Sequence, residues 1–304
     1  MKYLINKPNI SKLEKKYVLE ALNSTWLSSN GLNTKIFEKK FSKFTKNKNS
    51  LAVQSGTAAL HLAHKSLGIK RGDNVIVPNY TCVSNLSAVS QCGAKAILVD
   101  VEEDTFGLDY ILVKKAIKKY KPKVLQLVHV YGFPARDTLK IIKLCKRKKI
   151  KIIEDTSEAL GAKINNKIVG TFGDINVTSI RSEKMIGVGE GAVISSSNYK
   201  IFENISLLAS RAAPFRRSKD PYWKKYYVVG EGYNYLMPHL LGSIARGQIE
   251  RFEKELLKKK LEVGKNYRKI LSKNNLISGQ KIVKNCRPVF WLTSVLFKNF
   301  NKNK

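Results

Sequence analysis

The chain has 304 residues, 43% of them hydrophobic, and carries 56 Lys and Arg against 23 Asp and Glu, a formal net charge of +33. That balance excludes a disordered chain and provides for a large core, while no run is long and apolar enough to span a bilayer and residues 1–11 lack the apolar stretch of a signal peptide. The four cysteines (Cys82, Cys92, Cys145, Cys286) show no metal-ligand spacing and a chain of this size needs no disulfide framework, so a metal-free protein of the reducing cytoplasm, away from membranes, is the expectation.

The charge has two readings. One is an anionic partner such as nucleic acid, anionic lipid or a phosphorylated substrate. The plainer one is lysines on solvated helix faces, and it is preferred because the lysines are spread through the chain. Such a field would still draw in a phosphate-bearing substrate.

Residues 11–23 place Leu13, Tyr17, Leu19 and Leu22 at helical spacing and read as an amphipathic helix. Asn30-Gly31 signals a turn, and a second helix over 34–45 carries Ile36, Phe37, Phe41 and Phe44 on one side. Residues 51–53 form a short buried strand that runs into Gln54-Ser55-Gly56-Thr57 and a helix to about Leu67. Small residues at a fresh helix start let the backbone approach an anion. Taken alone, the same letters describe a capped helix with no ligand. Strands then alternate with helices: strands over 74–77, 94–99, 124–130 and 150–153, helices over 81–91, 109–119 and 137–148. Near-continuous apolar strands between helices indicate a parallel sheet covered on both faces, with function gathered at the strands' carboxyl ends.

Residues 152–194 organise the rest. Asp155 and Glu158 follow the apolar run, then come Gly170, Gly173-Asp174, a second apolar run, Ser179, and Lys184 ahead of Gly187, Gly189 and Gly191. A carboxylate at a strand end and a lysine in a glycine-rich turn suit an aldehyde cofactor, since an amine can bond the aldehyde and a carboxylate can hold a ring nitrogen protonated. Two other readings are weaker. Gly187-x-Gly189-x-x-Ala192 fails as a dinucleotide fingerprint because apolar Val193-Ile194 follows where a helix is required. Asp155 with Glu158 as a hydrolase acid/base pair has no further support.

These residues resemble the DegT/DnrJ/EryC1/StrS family of sugar aminotransferases that use pyridoxal phosphate. The family pattern of E-D-x-x-[QE]-A-x-G, G-x-x-G-D, S-x-x-x-x-K and G-E-G corresponds to Glu154-Asp155, Glu158-Ala159, Gly161, Gly170, Gly173-Asp174, Ser179, Lys184 and Gly189-Glu190-Gly191. Ser55-Gly56-Thr57, His129-Val130-Tyr131-Gly132 and Gly232-Tyr233-Asn234-Tyr235-Leu236-Met237 resemble further family segments. The resemblance implies an α/β fold: a fold type I aminotransferase with a mostly parallel central sheet flanked by helices. A cofactor-binding domain would span 1–237, and residues 238–304 would hold a long helix over 240–271, bent near Gly264, and a partial small α+β C-terminal domain with a strand at 289–297. Family members continue beyond this point, so that small domain reads as cut short.

The resemblance further implies that Lys184 bonds pyridoxal phosphate, Asp155 holds its ring nitrogen and Glu158 sits near its ring hydroxyl. Gly56, Thr57, Ser179 and the Asn234 of a second subunit would take the phosphate, which requires a homodimer with a shared site. Lysine at 184, where some relatives that dehydrate deoxysugars have histidine, implies amino transfer. Within the family the wording is nearest perosamine synthases, so the expected substrates are glutamate and a nucleotide-linked 4-keto-6-deoxy sugar. A truncated, non-catalytic relative and a 3-keto sugar aminotransferase are the alternatives. Residues 211–232, basic and aromatic, are expected to close the site. Where the family places an aromatic residue over the cofactor ring this chain has Cys82, and Tyr80 would point elsewhere. His129 is expected to be structural.

Overall fold

A computed structural model describes residues 6–214 and 227–297. Helices α1 (Lys12–Asn23) and α2 (Leu32–Thr45) lead into strand β1 (Asn49–Val53). There follow α3 (Gly56–Ser66), β2 (Asn74–Pro78), α4 (Ser84–Gln91), β3 (Lys95–Val99), α5 (Tyr110–Tyr120), β4 (Val124–Val128), α6 (Thr138–Arg147) and β5 (Lys151–Asp155). The two-residue strands β6 (Lys163–Ile164) and β7 (Lys167–Ile168) precede β8 (Ile175–Ser179), β9 (Ala192–Ser196) and α7 (Tyr199–Ala209).

Seven strands form one sheet in the order β1-β9-β8-β5-β4-β2-β3. The pairs β8–β5, β5–β4, β4–β2 and β2–β3 are parallel, and only β9 runs against the rest. Side chains alternate between the faces as period two requires. Val75, Val77 and Ile153 join the core under α3, α4 and α7, while Ile76, Leu125, Leu127 and Ile152 pack under α5 and α6. A third cluster joins α2, with Phe37 and Phe41 fully buried, to the chain's C-terminal third. The expected α/β architecture is therefore present.

Several boundaries differ from expectation for identifiable reasons. Asp155 is the last residue of β5 and not beyond it. The second helix starts at Leu32, with Gly31 as its cap. Residues 81–83 remain outside α4, and β4 ends at Val128 before a single 3₁₀ turn over Val130–Gly132. The long C-terminal helix runs as α8 (His239–Glu250), a π-helical stretch over Phe252–Leu257, and α9 (Lys258–Leu271). Its irregularity falls at the π stretch and not at Gly264, whose missing side chain makes room for Phe290: a Cβ there would come within 2.3 Å of the Phe290 ring. The strand expected over 289–297 is reduced to β12 (Leu296–Phe297), paired with β10 (Ile277–Ser278), while β11 (Cys286–Arg287) pairs with β6. Residues 288–295 follow irregular backbone because they wrap the 3₁₀ turn. Val289 N donates to Gly132 O, and Gly132, at φ +97°, has no space for a Cβ, which would lie 2.6 Å from Trp291 N.

Of the segment expected to close the site, residues 215–226 lie outside the described residues, as does the polar tail 298–304.

Candidate active site

A cavity of about 400 Å³ opens where the carboxyl ends of β1, β2, β4, β5 and β8 meet. This is the position at which open α/β sheets bind ligands. Its walls include Gly56, Thr57, Asp155, Glu158, Ser179 and Lys184, six of the seven residues singled out from sequence. The seventh, Asn234, lies outside this wall and forms an isolated antiparallel bridge with Ser210.

The Asp155 carboxylate is almost fully buried, at 4% exposure. Oδ1 accepts from Ser157 N at 2.9 Å and Oδ2 from Asn85 Nδ2 at 3.1 Å, which leaves acceptor capacity toward the cavity. Glu158 lies one turn further on. Its Oε2 accepts from Tyr131 N at 2.8 Å and its Oε1 is 3.4 Å from Lys184 Nζ. Burial pushes the Glu158 carboxyl above its ordinary range, the Lys184 ammonium and the Tyr131 N–H oppose this, and the neighbouring Asp155 charge adds to the rise.

Lys184 is held on its other side by Trp291, whose ring centroid is 3.7 Å from Nζ. The indole Nε1 also donates to Glu183 O at 2.6 Å, so one side chain grips both the lysine's head and the backbone just before it. Trp291 had no signature in the sequence, where it sat inside an apolar run read as a strand.

At the far wall, Ser55 caps α3 by accepting from Ala58 N at 3.1 Å, and the first helical backbone bond is Ala59 N to Ser55 O. The N–H groups of Gly56 and Thr57 are thus left without intrahelical partners at the positive end of the helix. A Cβ on Gly56 would lie 3.3 Å from Ser179 Cβ, so glycine keeps this corner open. The amine, the carboxylate and these two N–H groups therefore surround one space.

Two expectations require comment. Tyr80 does not point away: it lines the cavity, with its hydroxyl 2.7 Å from that of Tyr131, because the left-handed turn at Tyr131 (φ 55°) carries that ring toward it. Cys82 also lines the cavity and is exposed. His129 is structural as expected. It is fully buried, with Nε2 3.1 Å from Glu154 Oε1 and Nδ1 accepting from Ala135 N. After Gly189 the chain enters β9 and not a helix, which removes the dinucleotide reading.

The chain matches the model of the DegT/DnrJ/EryC1/StrS aminotransferase family over residues 8–304. It is 34% identical to a GDP-perosamine synthase of Escherichia coli O157:H7, covering 97% of this chain and 78% of that relative. A GDP-perosamine synthase of Vibrio cholerae is 33% identical over 96% of this chain and 77% of its own length. Among solved structures, a GDP-4-keto-6-deoxymannose-3-dehydratase with a trapped PLP-glutamate geminal diamine superposes with a TM-score of 0.91. At 22% identity, over 99% of this chain and 81% of that one, it bears on the fold alone.

Proposed function

Because the chain belongs to the DegT/DnrJ/EryC1/StrS aminotransferase family, we propose that it moves an amino group from glutamate to a nucleotide-linked 4-keto-6-deoxy sugar, with pyridoxal phosphate in the cavity at the strand ends. One observation carries this reading: a lysine amine, a buried carboxylate and a helix start whose first two N–H groups have no intrahelical partner face the same space. The residues fit the cofactor. Asp155 has acceptor capacity left for a ring N–H, and the open corner at Gly56 admits a phosphate to the N–H groups of α3.

Bound there, pyridoxal phosphate would supply an electron sink for the pair left when an amino acid's α-carbon loses its proton. The chain's residues do the rest. Lys184 Nζ would hold the cofactor through its aldehyde carbon, and as a free amine it would take the α-proton from the amino donor. Asp155 keeps the ring nitrogen protonated by offering a buried anion. Glu158 stands beside Lys184 and would face the ring hydroxyl. Ser179, Gly56 and Thr57 hold the phosphate, joined by Asn234 of a second copy in a homodimer. Asn234 lies outside its own chain's cavity wall, which supports a role across an interface. The GDP-perosamine synthases among the relatives support a nucleotide-linked sugar as substrate, and surface polysaccharide synthesis is the setting we propose from the family resemblance.

The test is direct. The purified protein should carry the visible absorbance of a lysine-linked cofactor, and Lys184→Ala should lose both that absorbance and turnover. A Lys184→Ala protein that still turns over many times with glutamate overturns the assignment. A panel of nucleotide-linked 4-keto and 3-keto sugars then identifies the acceptor.

A further inference from the structure

Among the described residues, three buried side-chain polar atoms without a hydrogen-bond partner belong to one connected group: Asn85 Oδ1, Gln126 Oε1 and His64 Nδ1. That group runs from the interior to Asp155. Gln126 Nε2 lies 2.7 Å from His64 Nε2 and donates to the backbone oxygen of Asn85 at 3.1 Å. Asn85 Nδ2 in turn donates to Thr81 Oγ1 and Asp155 Oδ2, each at 3.1 Å. All three side chains are at most 1% exposed.

The orientations are set by chemistry. Gln126 must present its NH₂ to the Asn85 carbonyl, so His64 Nε2 accepts and its proton sits on Nδ1. Burial pushes His64 down to about 3, which keeps it in that neutral form. Asn85 cannot flip, because its Oδ1 would then face the Asp155 carboxylate. A buried network left partly unsatisfied is expensive to keep, and here every orientation ends in one N–H aimed at one carboxylate oxygen.

We propose that Asn85 is a positioning residue that holds the Asp155 carboxylate oriented toward the cofactor's ring nitrogen, with Gln126 and His64 locking its amide. The proposal rests on the cofactor reading given above. On the cavity side Asp155 has Glu158 and, beyond it, Lys184, while the His129 ring pairs with Glu154 and not with Asp155. Asn85 supplies a neutral donor to its Oδ2, which none of these does.

The experiment measures affinity of the apoprotein for two cofactors by equilibrium titration. One is pyridoxal phosphate; the other is 1-deazapyridoxal 5′-phosphate, in which a ring carbon replaces the nitrogen. Asn85→Leu should weaken binding of pyridoxal phosphate about 10-fold or more, as removal of a hydrogen bond to a buried charge predicts. Its affinity for the deaza analogue should stay within about 2-fold of wild type, because that ring has no N–H for Asp155 to hold. Asn85→Ala, smaller and easier to accommodate, should discriminate in the same direction, and circular dichroism checks that both fold. Equal loss for both cofactors makes Asn85 a packing residue and overturns the proposal, as does no loss for either. Asp155→Ala separates the two levels of inference. If it discriminates between the cofactors and the Asn85 variants do not, only the positioning role fails. If Asp155→Ala does not discriminate, the cofactor reading fails and the proposal with it.

Discussion

Replacing Glu154 by glutamine should destabilise the protein far more than so conservative a change suggests. Glu154 is fully buried beside Asp155. Its Oε1 accepts from Gly170 N at 2.6 Å and lies 3.1 Å from His129 Nε2; its Oε2 accepts from Phe172 N at 2.8 Å and Gly173 N at 2.9 Å. Since Ala135 N donates to His129 Nδ1, the ring proton that points at Glu154 is on Nε2. Whichever way a glutamine amide is turned, its NH₂ then faces two donors. Two buried donors left unsatisfied cost about 1–3 kcal/mol each, or about 2–6 kcal/mol together, a large part of a domain's usual margin of about 5–15 kcal/mol.

Acid dependence gives a second handle on the same residue. Burial alone would raise the Glu154 carboxyl; the hydrogen bond from His129 and the N–H groups of Gly170 and Gly173 outweigh burial and hold it below its ordinary value of 4.5. A depressed carboxyl contributes stability that is present above its unfolded value and lost as pH falls through its folded value. Urea unfolding of apoprotein at pH 7 and at several pH values below 4.5 should therefore show a large deficit for Glu154→Gln and a flatter acid profile than wild type. A variant within about 0.5 kcal/mol of wild type at pH 7 would refute the reasoning.

Glu158→Gln should behave oppositely. Its carboxyl is raised by burial, so ionisation costs stability as pH rises above 4.5, and the glutamine apoprotein should match or exceed wild type at pH 7 with the gap closing in acid. A clear loss of stability at pH 7 would mean that the pair with Lys184 outweighs burial. Gly264→Ala should destabilise by about 1–3 kcal/mol in urea titrations, although alanine favours a helix over glycine by about 1 kcal/mol, because its Cβ would meet the Phe290 ring; a gain in stability would show that Phe290 gives way. The net charge of +33 should yield no more than micromolar binding to random duplex DNA at physiological salt, and tight, salt-sensitive binding would revive a nucleic-acid role.

The alternating apolar runs and short motifs were enough to place the parallel sheet and to bring six named residues to one cavity, because both signals are local. Period-two burial writes a covered strand into consecutive letters such as Val75-Ile76-Val77, and a motif keeps its residues at the end of the strand that carries it. Lys184 and Asp155 each lie on or just past such a strand end. What the letters did not hold were contacts between segments far apart in sequence. Trp291 reaches Lys184 from 107 positions away only because a chain without a regular strand wraps the turn at Gly132. Asn85 meets Asp155 across 70 positions, and Tyr80 turns into the cavity to meet Tyr131. The helix over 240–271 loses its regular ladder at Phe252–Leu257, a π-helical stretch that its apolar spacing does not mark. Secondary structure and motif chemistry follow from near neighbours along the chain. The ring over the lysine and the amide behind the carboxylate depend on burial and on partners that exist only once the sheet has closed.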